Sequence, residues 1–266
     1  MRRSLVALPA FASLLIGCGG SSGGITRVNP PPSYPNLSGN WSVLASSNVT
    51  GAIYVLGGYM TNTDSSVTAT LHVSPLGSGC YQADEEIPFT GTITTGGSIS
   101  LTSTAVANQT ISVTGSTLGG SVLNGTYKIA DGCAAGDNGA VTGLIEPSFT
   151  GTYTGNLQPA SGAAIAMNAT LTQSGPSADG EYNLAGSAQF SGSPCFTTGT
   201  ITSSTVFGES VQVTIGTEQG SVVQFTAIAI ATPSAITMEG EYQVTAGSCS
   251  GAAGIVTLSS VSVASP

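Results

Sequence analysis

The chain has 266 residues, of which only 6% are charged, with 13 acidic residues against 4 basic ones and a formal charge of −9. An average globular domain carries about 25% charged residues. So few cations cannot neutralise a phosphate backbone or grip an anionic lipid surface, which excludes nucleic acid as a partner and excludes electrostatic membrane binding. Serine, threonine, glycine and alanine take the place of the missing charges.

In chain order, Met1-Arg2-Arg3 forms a short positive n-region. The apolar run SLVALPAFASLLIG follows, too short for the roughly 20 residues of a membrane-spanning helix and interrupted by Pro9. It ends Leu15-Ile16-Gly17-Cys18, which resembles the lipobox of bacterial lipoproteins. The resemblance implies a signal peptide over 1–17 and Cys18 as lipid attachment site and first mature residue. Gly19 after the cysteine, by analogy with enterobacterial sorting, implies the outer membrane, the membrane link being the covalent lipid. Loss of Arg2 and Arg3 with the signal takes the charge from −9 to −11 and leaves Arg27 and Lys128 as the positive residues. Residues 18–36, GGSSGG and then Pro30-Pro31-Pro32, read as a tether, first flexible and then stiffened. Ser21 and Ser22 each fall in a G-x-S-x-G match, but a tether supplies neither the strand nor the helix of a nucleophile elbow.

Beyond the tether the sequence repeats. LSGNWSV (37–43) matches FTGTYTG (149–155), VTATLHV (67–73) matches MNATLTQ (167–173), and FTGTI (89–93) matches FTTGTI (196–201). NGTYKIADGCAAGDNGAVTGL (124–144) matches EGEYQVTAGSCSGAAGIVTL (239–258). That period is too long for a solenoid unit and suits a duplicated domain, here 37–147 and 148–262. Within each copy SISLTST, VQVTI and VVQFTAIAI alternate apolar and polar residues, and turn signals such as TTGG, STLGG and GTEQG punctuate them. The expected fold class is all-β: two tandem homologous antiparallel domains, each a β-barrel or a β-sandwich. Gly39-Asn40-Trp41 is similar to the G-x-W opening of lipocalin-type barrels. There the tryptophan closes the barrel floor, which makes Trp41 a candidate ligand-binding residue; the second copy reads Gly151-Thr152-Tyr153.

With Cys18 lipidated, Cys80, Cys133, Cys195 and Cys249 remain, and four cysteines allow three pairings. Cys133 and Cys249 hold the same repeat position, and Cys80 and Cys195 both precede the FTGTI-type block. One bridge per domain follows, Cys80–Cys133 and Cys195–Cys249, in an oxidising compartment.

Chemistry-bearing residues are sparse. His72 is the only histidine, facing Thr172 in the matched block. Asp84-Glu85-Glu86 reads as a solvated acidic loop. Asp131, Asp137 and Asn138 in DGCAAGDNG offer oxygen ligands suited to calcium, without EF-hand spacing. Asp179 and Glu181, like Glu239 and Glu241, flank turn-to-strand junctions. No P-loop, dinucleotide or HExxH signature occurs, so no cofactor is expected. The expected role is a non-enzymatic binding or surface-interaction module contacting an envelope protein or a glycan. The alternatives are a structural envelope spacer, a lipocalin-like carrier of a small apolar ligand, or a glycan enzyme acting through carboxylates alone.

Overall fold

A computed structural model describes residues 32–74 and 80–260. The signal segment 1–17, Cys18 and the tether up to residue 31 lie outside the described residues. The first half of the chain forms β1 (Gly39–Ser47), β2 (Ile53–Thr63), β3 (Ser66–Val73), β4 (Glu86–Ile93), β5 (Ser98–Ser103), β6 (Thr110–Leu118), β7 (Val122–Ala130) and β8 (Asn138–Glu146). The second half forms β9 (Gly151–Pro159), β10 (Ile165–Gln173), β11 (Leu184–Ser191), β12 (Thr198–Phe207), β13 (Ser210–Thr217), β14 (Val222–Ala231), β15 (Ile236–Ala246) and β16 (Ala253–Ser260).

Each set is an antiparallel meander that closes on itself, β1 against β8 and β9 against β16. Both domains are therefore eight-stranded barrels, and the sandwich alternative falls. Strict alternation builds them. In β10, Ile165, Met167, Ala169 and Leu171 point inward while Ala166, Asn168, Thr170 and Thr172 face solvent. Closure leaves no unpaired sheet edge, which suits strands otherwise rich in Thr, Val and Ile.

The register fixes which residues of the two copies correspond. Trp41 pairs with Gly58 and Val43 with Leu56, as Tyr153 pairs with Ala169 and Gly155 with Met167. The LSGNWSV, FTGTI and NGTYKIADG blocks lie on corresponding strands of the two barrels. VTATLHV does not match MNATLTQ in space: the first is β3, the third strand of its barrel, and the second is β10, the second strand of its own. Any alternating Ala-Thr-Leu strand fits either place, so similarity of texture misaligned them. Thr172 is accordingly not the counterpart of His72.

Trp41 is fully buried, and its indole Nε1 donates to the Leu37 carbonyl at 2.8 Å, while the Leu37 amide donates to Asn62 Oδ1. In the second barrel Tyr153 donates its hydroxyl to the Phe149 carbonyl at 3.1 Å, and the Phe149 amide donates to Gln173. Tyrosine thus preserves tryptophan's bond to the backbone four residues earlier. Both plugs sit at the β1 or β9 entry, at the opposite end from the disulfides.

Cys80 and Cys133 are bonded, as are Cys195 and Cys249, with Cα separations of 5.8 and 5.9 Å. Each bridge ties the loop after the third strand of its barrel to the loop after the seventh. Loops of 53 and 54 residues give each bridge about 4 kcal/mol by the chain-entropy estimate. Two such bonds accord with an exported chain.

The barrels differ most at one hairpin. Past the equivalent residues Ile93 and Ile201, barrel one turns at once, whereas β12 bulges at Thr202 and continues to Phe207 before β13 returns. This extension docks on the outside of barrel one. Asn40 receives the Gly208 amide at 2.7 Å and donates to the Gly208 carbonyl at 2.8 Å. A side chain at Gly57 would strike the Phe207 carbonyl, and Gly208 has a φ of 56° and packs on the Gly57 Cα and the Trp41 carbonyl. Two glycines therefore let backbone meet backbone. The ring of His72 lies 5.3 Å from that of Phe207, and Tyr59 meets Tyr182 edge-on at 6.2 Å.

Candidate functional site

The clearest cluster lies at the disulfide end of barrel one. The β7–β8 turn carries Asp137 inward, 5% exposed. Its Oδ1 accepts from Ser47 Oγ at 2.6 Å and from the Asn138 amide at 2.8 Å, and its Oδ2 accepts from the hydroxyls of Tyr54 at 2.7 Å and Tyr127 at 3.3 Å. Burial alone raises a carboxyl pKa. Here the bonds from Ser47, Tyr54, Asn138 and Tyr127 outweigh burial and hold Asp137 below its ordinary value. Tyr54 is pushed up by desolvation and by the bond to Asp137, while Tyr127 rises to about 12 through burial and the nearby carboxylate.

Tyr81 completes the group. Its ring stands edge-on to Tyr54 at 6.4 Å, and Tyr54 stands edge-on to Tyr127 at 6.1 Å. The Tyr81 hydroxyl is buried without a hydrogen-bond partner, and desolvation raises its pKa to about 12. These three tyrosines cap an apolar cavity of about 40 Å³ whose walls include Val43, Ala45, Leu56, Leu101, Val113 and Val141. That is roughly three times the ~10–15 Å³ a single water needs. Trp41 closes the other end of the barrel and does not line the cavity.

Barrel two has the same frame with different contents. The register puts Pro159 where Ser47 stands, Ile165 where Tyr54 stands and Leu157 where Ala45 stands. Phe196, after Cys195, replaces Tyr81 after Cys80. The turn bonds Ile129–Asp137 and Val244–Ala252 make Ala252 the counterpart of Asp137. Tyr242 keeps the place of Tyr127, and its hydroxyl is left buried and unpaired. Phe190 and Phe196 pack edge-on at 4.9 Å inside this barrel, and the gap among Met167, Leu171, Ile215 and Phe225 is too narrow for a water.

The remaining candidates are scattered. Asp131 is exposed in the turn with a φ of 61°, and Asn138 donates its side-chain amide to the Gly136 carbonyl. With both Asp137 oxygens occupied by protein donors, the calcium reading of Asp131, Asp137 and Asn138 gives way to a structural one. Among the described residues no three His, Cys, Asp or Glu side chains converge as metal ligands. His72 is 4% exposed between the barrels, with Nε2 2.7 Å from the Asp179 carbonyl and Nδ1 3.3 Å from the Asp84 carbonyl, and Glu181 at 3.6 Å. Asp84, Asp179 and Glu181 are thereby drawn together around an interface. Glu239 and Glu241 stand exposed on β15.

The tyrosine–aspartate network is not apparent from sequence alone. A signal for it exists: Tyr127 and Tyr242 recur in both copies while the acid ten residues later occurs in one. No protein-family model, no curated protein and no solved structure matches the chain.

Proposed function

We propose that the protein is an exported envelope lipoprotein, lipidated at Cys18 and held off the outer membrane by its tether, and that it acts as a non-enzymatic binding module. Its first barrel takes the ligand and its second supports the first. One observation carries this reading: of two copies of one barrel, only the first keeps, among the described residues, an apolar cavity wide enough for a water, capped by the Tyr81 ring and its unpaired hydroxyl. A packed structural core has no use for such a void. The ligand is a small apolar molecule, or the end of one, with an acceptor for the Tyr81 hydroxyl. A non-enzymatic role is supported by His72, whose ring nitrogens both face backbone carbonyls and so are not presented to a substrate. The filled second barrel favours a spacer role for that domain alone.

Native mass spectrometry of residues 19–266, produced without the signal in an oxidising periplasm, tests the reading. A co-purifying mass that leaves on denaturation supports it. A bare chain at its sequence mass less four hydrogens, two per disulfide, argues against a carrier and for a spacer. Loss of acylation in Cys18→Ser checks the anchor.

A further inference from the structure

A second cavity lies outside both barrels, where they join. The outward faces of β1, β2, β7 and β8 form a groove of about 390 Å³ whose apolar surface comes from Leu44, Val55, Val122 and Leu144. Leu44 and Leu144 are 42% and 55% exposed. At one end stand two carboxylates, Glu146 of β8 and Glu209 from the turn of the docked hairpin. The docking brings them close: Glu146 pairs with Asn40 across β1 and β8, and Asn40 grips Gly208, the residue before Glu209. Among the described residues neither carboxylate has an ion-pair or hydrogen-bond partner for its side chain. Behind them, sharing Val55 and Glu209 with the groove, is a recess too narrow for a water that contains Ser74 and Ser210 and no charge to offset the carboxylates. These residues are 5% and 3% exposed, and both hydroxyls are unpaired.

We infer that this junction groove binds a small organic cation, a primary ammonium on an apolar body. The ammonium offers donors and a positive charge to the two carboxylates, and the body covers the exposed leucines. A hydrated metal ion has no use for such walls, and an anion or neutral lipid has no use for the carboxylates. The electrostatics agree: burial, and then the neighbouring Glu209, push Glu146 up to about 7, and burial raises Glu209. The site belongs to neither barrel alone and does not depend on the barrel-one cavity.

Isothermal titration of the full chain with n-hexylammonium at pH 8, beside n-hexanol, n-hexanoate and calcium chloride, tests this. The expected result is saturable one-site binding of the amine only. Glu209→Gln and Glu146→Gln should each weaken it about tenfold, the effect of losing one charged hydrogen bond. On the unmodified chain, affinity should fall as the pH drops from 8 to 5 and the two carboxyls take up protons, a readout that needs no variant to fold. Ser42, Asn124 and Thr142, the other groove residues, do not titrate. Equal binding of hexanol, saturable calcium binding in place of the amine, or unchanged affinity in the double glutamine variant would each overturn the assignment.

Discussion

The two barrels share a strand count, a disulfide and a plug at the entry strand, yet they use their interiors in opposite ways. The second fills its space with Leu157, Phe190, Phe196 and Met167 and leaves the Tyr242 hydroxyl buried without a partner, Ala252 standing where the first barrel has Asp137. The first holds Ala45 and three tyrosines around Asp137, keeps a void, and satisfies its carboxylate four times over. The frame is thus set by alternation, closure and the staple. What a barrel can hold is decided by about five inward positions at one end.

Removing the feature the barrels share should give the largest effect and a test of their equality. Replacing Cys80 and Cys133 together by serine, or Cys195 and Cys249 together, should cost about 4 kcal/mol in either barrel. Chemical denaturation followed separately by Trp41 fluorescence, which reports barrel one, and by tyrosine signals would reveal unequal losses if the cores matter more than the loops. Next in size is the feature they do not share. Asp137→Ala strands three hydroxyls and should destabilise barrel one by about 3 kcal/mol. Because the native carboxyl sits below its ordinary value, its contribution is present above the unfolded carboxyl range and is lost as pH falls through the folded value. Acid melting curves should show barrel one weakening while Asp137→Asn flattens the dependence.

A smaller effect should change sign between copies. Tyr127→Phe removes a hydroxyl that donates to Asp137 and should cost about 1 kcal/mol, whereas Tyr242→Phe removes an unpaired one and should be neutral or stabilising by a similar amount. Equal losses on thermal melting would mean that Tyr242 has a partner in solution. At the junction the raised carboxyls run the other way from Asp137. Stability tied to protonated Glu146 is full below the unfolded carboxyl value and is lost as pH rises through about 7, so barrel–barrel docking should tighten on mild acidification. Glu146→Gln should remove that slope. Least of all, Ala45→Leu copies Leu157 into barrel one; it should change stability by under about 1 kcal/mol while closing the cavity to ligand.

The sequence makes some of this legible and hides the rest for physical reasons. Alternation in SISLTST and VQVTI marks the strands, and repeat positions pair the four cysteines, because both signals are local or counted along the chain. Barrel and sandwich share that alternation; only the pairing of β1 with β8 separates them, and closure is not written in any one strand. Asp131 and Asp137 look alike as oxygen ligands, but Asp131 faces solvent and Asp137 faces three tyrosines or serines of other strands. The groove at Glu146 and Glu209 is hidden for the same reason, since its two acids come from different copies.

The extended hairpin also sets a limit on assembly. It joins the tip of one barrel to the flank of the other, a head-to-tail contact of the kind that, repeated, grows filaments. Repetition would need barrel two to offer a similar flank and barrel one a similar tip. The positions of Gly57 and Asn40 are occupied in barrel two by Asn168 and Thr152, so a second hairpin meets a side chain where backbone contact is required. Barrel one, in turn, ends its hairpin at Ile93. This contact, then, is built for one pair of barrels and does not repeat itself from the second.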